Sequence, residues 1–183
     1  MTPKDRIIAY HYTHSFPTGK SITYEYENAI VVFSIPSNYM LNRWLGCTVW
    51  ELTRLWAPDG HRANLLTEAI SAAISEFKGL KLADALISYA DPNAGHSGGV
   101  YRAASWVYLG QSEETRAYRI GAQVIPRRKF HSGHRSLTKP EILKLGYTEL
   151  KLPGKFRFAI GLTRHGKRMV ELRRRLINST SSA

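Results

Sequence analysis

The stretch that decides the fold runs from Ala83 to Gly110, ADALISYADPNAGHSGGVYRAASWVYLG. Ala85 to Ala90 is a buried-type strand. It ends in Asp91-Pro92, a Gly-rich loop carrying His96 follows, and a helix of about Gly99 to Ser105 brings in Tyr101. Strand, polar loop and helix in that order place side chains at the carboxyl end of a strand, where α/β folds hold their ligands. A carboxylate, an imidazole, a phenol and bare backbone amides meet there, which marks a candidate site.

Upstream, SITYEYENAIVVFSI (21–35) alternates and then turns uniformly apolar. It reads as a hairpin turning at Glu27-Asn28 with an inner second strand. TVWELTRLW (48–56) alternates as a strand, Pro58-Asp59-Gly60 is a turn, and from Asn64 helical spacing runs through Ile70, Ile74 and Phe77 to a stop at Gly79. Downstream, strands are expected at 106–109, 116–124 and 156–162. A short helix, with Thr138 as cap and Pro140 in its first turn, runs to Leu145, and a basic helix covers 167–177. The order β-β-β-α-β-α-β gives a mixed α/β fold in one layer system.

Charge is unevenly placed. Residues 1–115 hold 9 Lys and Arg against 11 Asp and Glu, whereas residues 116–183 hold 17 against 3. Such a basic field attracts polyanions and makes their binding salt-dependent. Gly and Pro interrupt it, which favours nucleic acid over a membrane surface. A solvated basic tail is the plainer alternative. The single cysteine, Cys47, allows no disulfide framework, and no long apolar run suggests a leader or membrane span, so a cytoplasmic protein is expected.

The turn PDGHRAN after the third strand opens a helix and resembles an anion cradle, drawing on Ala57, Asp59, Gly60, His61, Arg62 and Asn64. PTGKS (17–21) lacks the first glycine of a P-loop. Asp91-Pro92-Asn93-Ala94 matches only half of the motif with which amino-methyltransferases grip an exocyclic amine. One cysteine rules out a zinc base deaminase. Of the histidines, His96 is the best metal-ligand candidate because Asp91 shares its loop. His11/His14 and His131/His134 are spaced as pairs in stretches that do not read as helices. Glu51, mid-strand beside the cradle, becomes a base if burial raises its pKa, or else an ion-pair partner of Arg54.

WELTRLWAPD together with SYADPNAGHSGGVYRAASWVYLGQ, and IIAYHYTHSFPTGKS before them, resembles the Mom family of Mu-like bacteriophages over about the first two-thirds of the chain. The resemblance implies an enzyme that converts adenine in phage DNA to a methylcarbamoyl form and so evades host restriction. It also implies an acetyltransferase-like (GNAT-like) fold: a central, mostly antiparallel sheet flanked by helices, with residues 1–125 as catalytic core and 126–183 as a basic extension completing the same domain. An acyl-CoA such as acetyl-CoA is the implied donor, although PDGHRAN holds one glycine where that family's cradle signature has more. A divalent metal, iron or another, on Asp91 and His96 stays open. Asp91, His96, Tyr101 and Glu51 are the expected catalytic groups, with Trp44, Trp56, Tyr101 and Trp106 available to stack an extruded base. Arg127, Arg128, Lys129, Arg135, Lys139, Lys155 and Arg157 are expected to grip phosphates of double-stranded DNA in the bacterial host's cytoplasm. Homodimerisation is left open. The rival readings are a non-catalytic DNA-binding protein and a DNA adenine amino-methyltransferase.

Overall fold

A computed structural model describes residues 1–127, 130 and 137–180. Thr2 opens helix α1 (Pro3–Tyr10) through a reciprocal capping box with Asp5. Strands β1 (Ser21–Tyr26) and β2 (Ala29–Ser34) form the expected hairpin, turning at Glu27, whose φ is +51°. Every residue of β2 is buried because the strand faces apolar layers on both sides. Ala29, Val31 and Phe33 join one core, whereas Ile30 and Val32 meet Ile7 of α1 on the other face.

After α2 (Met40–Leu45) come β3 (Val49–Trp56), α3 (Leu65–Gly79) and β4 (Ala85–Ala90), with α3 as the crossover that makes β3 and β4 parallel. The apolar stripe of α3, with Ile70, Ile74 and Phe77, packs on Phe33, Trp50 and Leu86. A short 3-10 turn (Pro92–Ala94), α4 (Gly99–Ala103) and β5 (Val107–Gln111) follow. Then come β6 (Thr115–Ile120), β7 (Gln123–Pro126), α5 (Lys139–Lys144), β8 (Thr148–Leu152), β9 (Phe156–Gly161) and α6 (Arg164–Thr180).

The six-stranded sheet has the order β1-β2-β3-β4-β9-β5, and β3–β4 is its one parallel pair. A second sheet, β7-β6-β8, stands apart from it. The fold is therefore α+β, a mostly antiparallel sheet flanked by helices, but not the single layer expected. The strand expected over 116–124 is two strands, because Gly121 takes a φ of +55° and turns the chain. Helices α1 and α2 and strand β8 went unread in the sequence. The boundary expected at 125 falls inside β7, and β9 from beyond it lies between β4 and β5. Among the described residues no helix is long and apolar enough to cross a membrane.

Two irregularities shape the sheet's centre. The β2–β3 register slips between Val32 and Phe33, which pair with Arg54 and Leu52, so Thr53 is an extra residue in β3. Such a bulge takes a residue out of the ladder and increases local twist. The β3–β4 ladder runs from Val49–Ala85 to Leu52–Ser88 and stops there, although both strands continue. The ends of β3 and β4 splay apart.

Candidate functional site

A cavity of about 400 Å³ occupies the splay. Leu52, Thr53 and Leu55 of β3, Tyr89 and Ala90 of β4, and the Gly95–Tyr101 loop line it, together with His11 and Tyr12 from the turn after α1. A second cavity of about 1190 Å³ lies alongside, lined by Asp91, Asn93 and Lys155 and, from the small sheet's side, by Arg116, Arg127 and Leu152. Tyr12 lines both.

Asp91 ends β4 and caps the 3-10 turn. Its Oδ1 accepts from the Asn93 N–H and the Asn93 Nδ2, each at 3.0 Å, and its Oδ2 meets Lys155 Nζ at 2.9 Å. Burial works to raise its pKa, but the Lys155 and Asn93 hydrogen bonds outweigh that and hold it below the usual carboxylate range. Asp91 is thus an ionised, oriented acceptor. The Asp91 carbonyl also accepts from Ala94 and His96 N–H, each at 3.0 Å, which closes the loop.

Ser88 Oγ lies 2.9 Å from the Leu52 carbonyl and 2.8 Å from the Tyr101 hydroxyl. Ser88 has one proton and a carbonyl can only accept, so Ser88 donates to Leu52 and Tyr101 donates to Ser88. The last carbonyl before the splay is satisfied in this way. Burial pushes Tyr101 up to about 12, which keeps it protonated at neutral pH. Tyr101→Phe should therefore cost about 1 kcal/mol of stability, the worth of one buried hydrogen bond, read as a lower thermal midpoint. An unchanged midpoint would remove that bond from the account.

Arg54 was the ion-pair partner that the sequence offered to Glu51. It donates instead through Nε to the Ser15 carbonyl at 2.7 Å, through a terminal nitrogen to Ser15 Oγ at 2.9 Å, and to the Thr53 carbonyl at 2.6 Å. These bonds pin the loop that carries His11 and Tyr12. Burial drives Glu51 up to about 7, with Arg54 and Lys155 pulling the other way. Burial drives His11 down to about 4. The Thr13 N–H donates to His11 Nδ1 at 3.2 Å, so the proton of the neutral ring sits on Nε2. The rings of Tyr12 and His96 meet edge to face at 4.9 Å.

The cradle expected at PDGHRAN departs from its reading. Gly60 turns with a φ of +73°, and Asn64 precedes α3 without a side-chain cap bond. Arg62 is engaged by Glu27 at 2.6 Å and by Glu68 at 2.7 Å, and His61 bonds the Arg62 carbonyl. The helix end thus offers amides without a free cation, beside two carboxylates. Ala57, Asp59, Gly60, His61, Arg62 and Asn64 do not fit the pyrophosphate of an acyl-CoA. Of the expected metal pair, Asp91 is held by Lys155 and Asn93, and among the described residues no three His, Cys, Asp or Glu side chains gather around an ion site.

Of the expected stacking groups, Trp106 is buried in the core, Tyr101 is buried yet lines the smaller cavity, Trp56 stacks on Tyr10 at 5.9 Å, and Trp44 lies against Arg157 and Arg173. Tyr12 and His96 line the smaller cavity as well. Arg128, Lys129, Arg135, His131 and His134 lie outside the described residues. Arg127 lines the larger cavity, Lys139 pairs with Glu149 at 2.5 Å, and Lys155 pairs with Asp91. Sequence reading passed over Tyr12 and Arg54 as site residues and gave Lys155 to phosphates. The only signal for Tyr12 was its place in the HYTH stretch that shared the family resemblance.

The model of the Mom protein family matches residues 2–178, nearly the whole chain. No curated protein matches it.

Proposed function

Because the chain belongs to the Mom protein family, and with it to phage DNA modification, we propose that it converts adenine in DNA to the methylcarbamoyl form at the exocyclic amine. The observation that carries this reading is the Asp91–Lys155 pair. Both residues line the larger cavity, Ala90 just before Asp91 lines the smaller one, and Tyr12 lines both. Two adjoining chambers with an ionised carboxylate at their boundary suit a transfer between an acceptor and a donor.

The adenine amine is a poor nucleophile, and inside a duplex it is stacked. Extruding the base costs a few kcal/mol. The larger cavity receives it among Ala94, Val124, Pro126 and Leu152, with Arg116 and Arg127 at its edge toward the backbone phosphates. Asp91 accepts a hydrogen bond from the amine and favours the charge that develops as the nitrogen attacks. Lys155 fixes the carboxylate's direction, and Asp91 receives the proton released and relays it to Glu51, which lines neither cavity. The splay and the Thr53 bulge support a GNAT-like reading, because they open strand ends toward a donor carbonyl in the smaller cavity. As the amine nitrogen bonds to that carbonyl carbon, the carbon's bond to the donor's carrier breaks and the carrier departs with the electron pair. The carrier is not assigned to CoA, given the two carboxylates around Arg62.

If Glu51 takes the proton, the modification rate rises with pH through about 7, as the carboxylate ionises. Glu51→Gln should flatten that rise, and a pH–rate profile checks it. The same shift makes folding less favourable as pH rises from 4.5 through 7, because the folded chain binds that proton more tightly than the unfolded one.

The functional test is restriction. Plasmid DNA from cells expressing the chain should resist endonucleases whose sites contain adenine and remain sensitive to those reading only G and C. Equal cleavage by both groups would contradict the reading. It would favour instead a DNA-binding protein using the same basic third.

A further inference from the structure

From the C-terminal helix and the pocket beside it, and resting on the DNA-modification reading, we infer that Trp44, Arg157 and Arg173 form a phosphate-binding site for the substrate strand. Helix α6 carries six Lys and Arg residues and one carboxylate, Glu171. Glu171 is engaged by Arg174 at 2.8 Å and by Arg175 at 2.9 Å, which leaves Arg173 outside that cluster.

Arg173 instead places its guanidinium 4.5 Å from the centre of the Trp44 ring. Arg157 of β9 places its own 4.3 Å from the same ring. One guanidinium on an indole is a favourable cation–π contact. Two on one ring bring like charges together, and among the described residues no carboxylate forms a salt bridge with either. Arg157 Nε is also buried without a hydrogen-bond partner. A buried orphan donor calls for an acceptor. A cavity of about 440 Å³ adjoins, lined by Trp44, Arg157, Gly110, Gln111 and Asn178, with no acidic residue. Arg157 lines that cavity and Arg173 shares its Trp44 ring, and the planar guanidinium of each matches the oxygens of a phosphate.

Position favours a phosphate of the DNA strand. Arg157 pairs in register with Tyr89, which lines the smaller cavity, and lies two residues from Lys155, the partner of Asp91. Two residues of extended chain span about 7 Å. Arg157 and Arg173 thus lead from Lys155 at the reacting centre toward α6. An extruded nucleotide needs its flanking phosphates fixed, and these two arginines are placed to do so. A phosphate on a small molecule has the same chemistry and is the alternative source.

The test is equilibrium binding of fluorescent duplex DNA across a salt series, with inorganic pyrophosphate and ADP as separate ligands. Arg173→Gln should weaken DNA binding severalfold at all sequences and reduce the salt slope by about one. Arg173→Lys, which keeps the charge and loses the planar fork, should restore the slope but not the full affinity. A salt slope unchanged in Arg173→Gln, with the thermal midpoint kept, overturns the site. Loss of pyrophosphate or ADP binding with DNA binding intact overturns its assignment to the strand. If the unaltered protein binds no DNA, the DNA-modification reading falls as well, whereas an unchanged slope sinks this site alone.

Discussion

Replacing Asp91 by Asn should lower adenine modification by roughly 10²–10⁴-fold, the usual scale for losing a positioned acid–base or charge-stabilising group. The amide keeps the shape and one acceptor oxygen but not the charge that pairs with Lys155 at 2.9 Å. It also cannot favour positive charge on the attacking amine. Lys155→Met should give a loss in the same direction, because Asp91 would keep its Asn93 bonds yet lose the hydrogen bond that most lowers its pKa. The double variant should be little worse than either single one if the pair acts as a unit. Modification rates in cells, normalised to the amount of folded protein, check all three. Additive losses would separate the two residues' roles.

The second large effect concerns the fold under the site. Gly98 has a φ of +79°, and a Cβ there would stand 2.3 Å from Phe158 Cε2. Phe158 cannot retreat. It is fully buried and packed against Tyr101 at 5.3 Å and Tyr108 at 5.4 Å, with the Arg102 guanidinium 5.1 Å away. Gly98→Ala therefore adds overpacking to left-handed backbone strain, a loss of roughly 2–5 kcal/mol. Thermal or denaturant unfolding should show a much lower midpoint. Gly95 shares the left-handed conformation, with a φ of +76°, but meets nothing within 4 Å. Gly95→Ala should cost only about 1–2 kcal/mol, from strain alone. Equal losses at the two positions would show that the Phe158 contact is not the cause.

What the sequence revealed follows from the range of the forces involved. The β1–β2 hairpin, β3, α3 and β4 were legible because apolar periodicity and Gly or Pro stops are local signals. Helix α1 was hidden: PKDRIIAY has little apolar periodicity, and what makes it a helix is the Thr2–Asp5 box at one end and the docking of Ile7 on Ile30 and Val32. Strand β8 was hidden likewise: TELKL alternates Leu150 and Leu152 with Glu149 and Lys151, but five residues are a short signal and the strand is fixed by pairing with β6. The Asp91 loop announced itself by composition, and so did the reactive types of His96 and Tyr101. Their partners did not. Lys155 lies 64 residues from Asp91, and Arg54 lies 39 residues from Ser15. No local pattern links such pairs. Nor did the sequence show that Glu27, in the turn of the β1–β2 hairpin, reaches Arg62 and changes the character of the α3 cradle. The splay beyond Leu52–Ser88 is a property of two strands together and appears only in the sheet.

The most direct measurement is mass spectrometry of nucleosides released from plasmid DNA of cells expressing the unaltered chain, beside Asp91→Asn at the same level of folded protein. The expected result is a deoxyadenosine heavier by one methylcarbamoyl group, its fragmentation placing the added mass on the base, and its near absence from the Asp91→Asn sample. Unmodified deoxyadenosine in both samples, with the protein folded and bound to DNA, would contradict the account.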